Sequence, residues 1–139
     1  MMSVSSQTQP HDEQSVLELE LEQNREAPSL ARAAIGSFCE NRDIETATLA
    51  TLTLLVSEVV TNAVIHPDVE PPGGVRLSAS IADGLIRVEV TDEGSGFGPQ
   101  PRDPERLERG YGLFLLEHQA SAWGVERHAG NTVWFELSV

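Results

Sequence analysis

The stretch that decides the fold runs from Leu54 to His66 and reads Leu-Leu-Val-Ser-Glu-Val-Val-Thr-Asn-Ala-Val-Ile-His. It belongs to a predicted helix from about residue 44 to residue 65. The His-Pro pair that follows is expected to end this helix. The helix is apolar almost all round, which predicts a central position in the fold. Glu58, Asn62 and His66 follow one another at a spacing of four residues, so they share one arc of the helix.

The polar residues of this helix admit two interpretations. Burying an unpaired carboxylate costs several kcal/mol, so Glu58 must face a cleft, a partner or a metal. The amide oxygen of Asn62 beside a carboxylate suits a hard cation such as Mg²⁺. Alternatively, Ser57, Glu58, Thr61 and Asn62 are simply the solvated face of the helix. The helix alone does not decide between these interpretations.

The segments around the helix predict strands that pair as hairpins. Residues 16–22 begin with Val16 and then alternate Leu with Glu, which indicates a half-buried strand. Residues 75–81 and 85–91 also alternate apolar with polar side chains, and an Asp83-Gly84 turn lies between them. The remaining predicted elements are a helix from residue 27 to about residues 40–43, a helix over 113–122, and strands over 123–128 and 132–139.

This order of elements predicts an α+β fold. We expect a two-layer α/β sandwich, in which three helices cover one face of a mixed, mainly antiparallel sheet. The length of 139 residues predicts one domain. Residues 1–13 have no periodic apolar pattern and are expected to form a flexible N-terminal tail, and residues 14–139 form the domain.

The charge balance excludes several classes of function. The formal net charge is −13, which opposes binding to nucleic acid or to an anionic membrane surface. All nine basic residues are Arg, so the chain cannot use a Schiff-base Lys or a Lys-bearing P-loop. No run of about 18 unbroken apolar residues and no secretory signal is evident, which predicts a cytoplasmic protein without a transmembrane helix.

Two glycine-rich stretches follow the predicted hairpin. Asp92 ends a strand and is followed by Gly94 and Gly96; the carboxylate can accept a hydrogen bond from an exocyclic amine, and the glycines let backbone approach a ligand. Gly110 and Gly112 precede an apolar helix, whose free N-terminal amides favour an anion such as phosphate. Each pattern alone is weak evidence for a ligand site, because an ordinary glycine loop and an ordinary helix start have the same sequence pattern.

The three features in this order resemble a known set of motifs. An Asn-bearing helix, an Asp-x-Gly-x-Gly strand end and a Gly-x-Gly helix start are similar to the N, G1 and G2 boxes of the GHKL ATPases, the Bergerat-fold group. The pattern from Ser57 to His66, Ser-Glu-x-x-x-Asn-Ala-x-x-His, most resembles the anti-sigma factor serine/threonine kinases, a branch of single-domain histidine-kinase-like ATPases. The closing residues 131–137 also resemble this branch, so the resemblance covers about residues 14–139.

The resemblance implies a site for ATP and Mg²⁺. By this resemblance Asn62 would ligate the metal, Glu58 would be the catalytic base that acts on a Ser hydroxyl of a protein substrate, and Asp92 would bind the adenine amino group. The full nucleotide-binding set that it implies is Asn62, His66, Asp92, Gly94, Gly96, Phe97, Arg109, Gly110, Tyr111, Gly112, Leu113 and Thr132.

The resemblance also implies a regulatory function. The expected activity is that of an ATP-dependent serine/threonine kinase that phosphorylates an anti-sigma factor antagonist protein and sequesters a sigma factor. The alternative is a regulatory binding module that takes up ATP, or has lost it, without phosphoryl transfer. A detached histidine-kinase catalytic domain is disfavoured, because no helix pair with a phospho-acceptor His precedes the fold. No nucleic acid or membrane partner is expected, and a Leu-rich edge at residues 16–21 leaves a homodimer open.

Overall fold

The computed structural model describes residues 15–64, 74–92, 111–127 and 131–139. The predicted order of strands and helices is confirmed over these residues. The elements are β1 (Ser15–Glu22), α1 (Ala27–Phe38), α2 (Thr46–Val64), β2 (Gly74–Ala82), β3 (Leu85–Asp92), α3 (Tyr111–Gln119), β4 (Ala122–Arg127) and β5 (Asn131–Ser138).

The five strands form one sheet in the order β1-β2-β3-β5-β4, and each of the pairings between neighbours is antiparallel. Residues directly opposite each other in such pairs point to the same face of the sheet. Leu77 lies opposite Val90 and Ala79 lies opposite Val88, and all four side chains are buried. The alternation of the strands therefore gathers the apolar side chains on one face.

All three helices pack on this face. They contribute to the same buried cluster as the strands, through Ala27, Ala31 and Ile35 of α1, Leu52, Leu55, Val56, Val59 and Val60 of α2, and Leu116 of α3. The prediction of a two-layer α+β sandwich with a mainly antiparallel sheet and three helices on one face is confirmed.

Helix α2 lies between α1 and α3, but it is not buried all round. Leu54 on its outer side is 43% exposed. By its 19-residue length and mean hydropathy of 1.5, α2 is long and apolar enough to cross a membrane. The expectation that no such helix exists rested on unbroken apolar runs, which the threonines of α2 interrupt. Core helices pass the same test of length and composition, and α2 buries Leu52, Leu55 and Val56 against the fold.

Two local features, the turn at Asp83-Gly84 and the end of α3, depend on the backbone conformation and its hydrogen bonds. Asp83 and Gly84 have φ values of 55° and 77°, as a two-residue turn with two left-handed residues requires. Helix α3 begins at Tyr111 and ends at Gln119, whereas a helix over 113–122 was expected. It ends earlier because the Ser121 amide donates to the Glu136 carbonyl at 2.8 Å, which draws the chain into the sheet.

The leucines of β1 face the core. Leu21 is 6% exposed, and Leu17 and Leu19 pack against the buried cluster. The exposed apolar side chain of this strand is Val16, at 58%. The leucines at residues 16–21 therefore do not form the exposed Leu-rich edge that the sequence predicted.

The opposite face of the sheet carries a cluster around Trp134. The Arg87 guanidinium lies 4.2 Å from the centre of the Trp134 ring and bonds Glu89 at 2.9 Å and Glu136 at 3.1 Å. Burial acts to lower the pKa of Arg87, but the hydrogen bonds to the two carboxylates outweigh it and raise that pKa above its ordinary value. The indole lies against Gly124, where an added Cβ would come within 2.7 Å of its Nε1.

We expect Gly124→Ala to lower the free energy of unfolding by about 1–3 kcal/mol, because the new methyl group must displace an indole that Arg87 holds in place. Gly36→Ala in α1 is the matched control: its added Cβ meets nothing within 4 Å. That change should raise stability by about 0.5–1 kcal/mol, since Ala is the better helix former. Urea unfolding of both variants measures the difference, and equal effects would contradict the described position of Trp134.

Candidate functional site

The candidate site lies at one end of the sheet, where a row of paired residues crosses four strands. Leu21 of β1 pairs with Val75 of β2, Val75 with Asp92 of β3, and Asp92 with Asn131 of β5. Asp92 is 5% exposed and is the one polar or charged residue classed as buried in the part of the chain that the structure describes. Burying a carboxylate is costly, so its position at the end of the core makes Asp92 a candidate site residue.

Helix α2 ends at this same end of the sheet. The side-chain amide of Gln23, the residue that follows β1, donates to the Ala63 carbonyl at 2.9 Å. Asn62 is the neighbour of Ala63, and α2 packs against β3, which Asp92 ends. The fold thus brings Asn62 and Asp92, which are distant in the sequence, to one end of the molecule.

The side chains of the α2 motif divide between two sides of the helix. Ser57 faces α1, since Arg32 donates to its hydroxyl at 2.9 Å. Glu58 and Asn62 are half-buried and lie one helical turn apart on the other side. Ser57 and Thr61 have the same intermediate exposure, so burial alone does not separate the two interpretations of the sequence.

The start of α3 is the third component. The chain reverses between α3 and β4 at Ala120 and Ser121, and β4 runs back to the row of Asp92, where Arg127 pairs with Asn131. Helix α3 therefore begins at the end of the sheet that holds Asp92. Because the helix starts at Tyr111, its first turn comprises Tyr111, Gly112 and Leu113, whose amides have no acceptors within the helix.

The structure does not bring Thr132 to the other site residues. Thr132 pairs with Thr91, and their hydroxyl oxygens lie 2.9 Å apart on the sheet face opposite the helices. The side chain that shares the face of Asp92 is that of its partner Asn131, which was not among the residues predicted from the sequence. Counting the alternation back along the closing strand could have found it. The predicted residues His66, Gly94, Gly96, Phe97, Arg109 and Gly110 lie outside the described residues.

The donor set fits a nucleotide that carries a divalent cation. The Asp92 carboxylate accepts hydrogen bonds and suits an exocyclic amine, and the first-turn amides of α3 suit phosphate. Over the described residues, no group of three or more His, Cys, Asp and Glu side chains is placed to hold a metal. Mg²⁺ bound with phosphate oxygens and water needs few protein ligands, and the amide oxygen of Asn62 can serve as one.

Comparison with known proteins agrees with this arrangement. Residues 20–137 match the family described as histidine kinase-like ATPase domain. The chain belongs to this family. It is 32% identical to an anti-sigma F factor of Geobacillus stearothermophilus over 131 residues, which cover 86% of this chain and 90% of that protein. It is 35% identical to an anti-sigma F factor of Pasteuria penetrans over 112 residues, which cover 73% of this chain and 75% of that protein.

A solved structure of the RsbU and RsbW domains of a Mycobacterium tuberculosis protein shares the fold. The TM-score is 0.70 at 21% sequence identity, and the match covers 89% of this chain and 32% of that one, so this chain spans about a third of the longer protein. Together with the curated relatives, the fold supports the resemblance seen in the motifs. This member of the histidine kinase-like ATPase family falls in the anti-sigma kinase-like branch of the GHKL group.

We expect Asp92→Asn to lower the affinity for ATP by about 10- to 100-fold, because an amide replaces one acceptor with a donor that opposes the adenine amine. Calorimetric titration of the purified chain with Mg²⁺-ATP measures the change. Affinity equal to that of the unchanged chain would remove Asp92 from adenine recognition.

A second prediction separates the two neighbouring residues of β5. Asn131→Ala should weaken ATP binding by about 3- to 10-fold, the effect of one hydrogen bond, since Asn131 shares the face of Asp92. Thr132→Ala is the matched control and should leave the affinity unchanged, because the Thr132 hydroxyl contacts Thr91 on the opposite face. The same titration, with thermal unfolding of both variants, provides the test, and the reverse ranking would contradict the strand register.

Proposed function

We propose that this chain is an ATP-binding regulator of the anti-sigma factor type, which phosphorylates a Ser or Thr of an anti-sigma factor antagonist protein and sequesters a sigma factor. The regulatory class is supported by relatives that are named anti-sigma F factors at 32% identity over most of both chains. The observation that supports the catalytic part is that α2, in which Glu58 lies one helical turn before Asn62, ends at the same end of the sheet as the buried Asp92.

Nucleotide binding rests on groups from three elements. Asp92, held in the core at the end of β3, accepts the hydrogen bond of the adenine amine. The first-turn amides of α3 point toward the phosphates, and the α3 dipole favours their negative charge. Asn62 offers its amide oxygen to Mg²⁺, which neutralises phosphate charge when it is bound. Since the chain has no Lys, phosphate neutralisation depends on the metal, the backbone and Arg.

Phosphoryl transfer rests on Glu58. Its carboxylate lies one helical turn before Asn62, so the base and the metal ligand are neighbours. The partner's hydroxyl oxygen forms a bond to the γ-phosphorus as the bond from that phosphorus to ADP breaks, and the hydroxyl proton passes to Glu58. A positioned base of this kind contributes about 10²- to 10⁴-fold to the rate.

The proposed partners are proteins that act in the cytoplasm. The formal net charge of −13 gives the surface a field that repels nucleic acid and anionic lipid, so the regulator acts on a sigma factor without touching DNA. A homodimer stays a prediction. The exposed Val16 on the edge strand β1 is the apolar side chain there that such an interface would cover.

Glu58→Gln tests the catalytic role. The amide is nearly isosteric, so we expect ATP affinity to stay near normal, while transfer of γ-phosphate to a partner Ser or Thr falls by at least about 10²-fold. Radiolabelled ATP, the purified chain and an antagonist protein encoded beside it make up the assay. Glu40→Gln, an exposed Glu beyond the end of α1, is the matched control and should transfer normally.

Two outcomes would contradict this assignment in different ways. Normal transfer by the Glu58→Gln variant would mean that another group is the base. Normal ATP binding by the unchanged chain, together with no transfer to any antagonist encoded beside it, would favour the non-catalytic regulatory module.

A further inference from the structure

The last turn of α2 contains a carbonyl that the sequence deprives of its usual donor. In an α-helix the carbonyl of residue i accepts from the amide of residue i+4. For Ala63 that residue is Pro67, which has no amide hydrogen. A half-buried carbonyl without a donor is unfavourable, so another group has to supply the hydrogen bond.

Gln23 supplies it. Its side-chain Nε2 donates to the Ala63 carbonyl oxygen at 2.9 Å, across 40 positions of sequence, in a partly buried location. This bond joins the end of β1 to the end of α2. Partial burial reduces competition from water, which favours a well-defined contact over a transient surface one.

The turn that carries Gln23 is itself held by hydrogen bonds. The Asn24 amide donates to the Glu22 carbonyl at 2.8 Å, and the Ala27 amide donates to the Asn24 carbonyl at 3.1 Å. The Asn24 side-chain oxygen accepts from the Glu26 amide at 2.9 Å. Because the turn between β1 and α1 is fixed in this way, the Gln23 side chain extends from a defined position toward α2.

We propose that Gln23 is a positioning residue for Asn62. Asn62 immediately precedes Ala63, so the bond from Gln23 fixes the helical turn that presents the Asn62 amide oxygen. The inference rests on the proposed function, in which Asn62 is a ligand of Mg²⁺. In this role Gln23 acts through the position of the α2 terminus.

Three substitutions separate this role from general stabilisation. Gln23→Met keeps nearly the same size and removes the donor. Gln23→Lys keeps a donor at similar reach, and its charge suits a helix C-terminus. Gln119→Met, at an exposed position at the end of α3, is the matched control. Asn62→Ala sets the effect of losing the proposed metal ligand altogether.

The first measurement is hydrogen exchange of the α2 amides in the nucleotide-free protein. Gln23→Met should speed exchange in the last turn of α2 more than in the middle of the helix, and Gln23→Lys should restore protection. The second is calorimetric titration with a non-hydrolysable ATP analogue, with and without Mg²⁺. The ratio of the two affinities isolates the metal, because effects on adenine or phosphate binding cancel.

We expect Gln23→Met to lower this ratio by about 3- to 10-fold, as for the loss of one hydrogen bond. Gln23→Lys and Gln119→Met should keep the ratio of the unchanged chain. Exchange that is unaltered at the α2 terminus, or affinity that falls equally with and without Mg²⁺, would overturn the positioning role.

The reference variant distinguishes the failure of this inference from the failure of the proposed function. If Asn62→Ala abolishes the Mg²⁺ ratio and Gln23→Met leaves it intact, only the role of Gln23 is wrong. If the ratio of the unchanged chain does not depend on Asn62, the metal assignment is wrong, and the positioning role falls with it.

Discussion

The packing of α2 against one face of an antiparallel sheet is the constraint on which the rest of this structure depends. Apolar and polar residues alternate along the strands, so the apolar side chains all point to one face of the sheet. Helix α2 covers that face and lies between the two other helices. Along the length of this contact the buried side chains are apolar. Polar chemistry is therefore excluded from the middle of the layer and is confined to its end, where helices and strands begin and finish.

The end of the sheet that holds Asp92 is where several strands and helices begin or end. Strands β1 and β3 and helix α2 finish there, and helices α1 and α3 begin there. A buried carboxylate, that of Asp92, lies at the boundary of the core, at the last residue of β3. Asn62 lies in the last turn of α2. The free amides of a helix start complete an arrangement that suits an anion with an attached cation.

The Trp134 cluster shows what the fold does with its other face. No described helix covers that face, yet Arg87 bridges Glu89 and Glu136 and stacks on the indole of Trp134. Gly124 leaves the space in which the indole lies. The contacts of this cluster link strands β3, β5 and β4 on the face opposite the helices. The pairing that sets Asn131 opposite Asp92 is thus supported from both faces of the sheet.

Local sequence determined the elements, because their causes act within a few residues. The alternation of Leu and Glu predicted β1, the Asp83-Gly84 pair predicted a hairpin turn, and the spacing of Glu58 and Asn62 put both on one side of α2. Helix ends were less predictable. The end of α3 depends on a hydrogen bond from Ser121 to the carbonyl of Glu136 in another strand.

The tertiary structure decided which side chains meet at the site. Thr132 and Asn131 are adjacent in the sequence, but strand register sends their side chains to opposite faces, and Thr132, the residue that the resemblance implies, lies on the face opposite the helices. The bond from Gln23 to Ala63 spans 40 positions, and its only local sign is the missing amide hydrogen of Pro67. Local rules follow from covalent geometry and spacing along the chain, whereas register and long-range hydrogen bonds exist only once the strands and helices have packed.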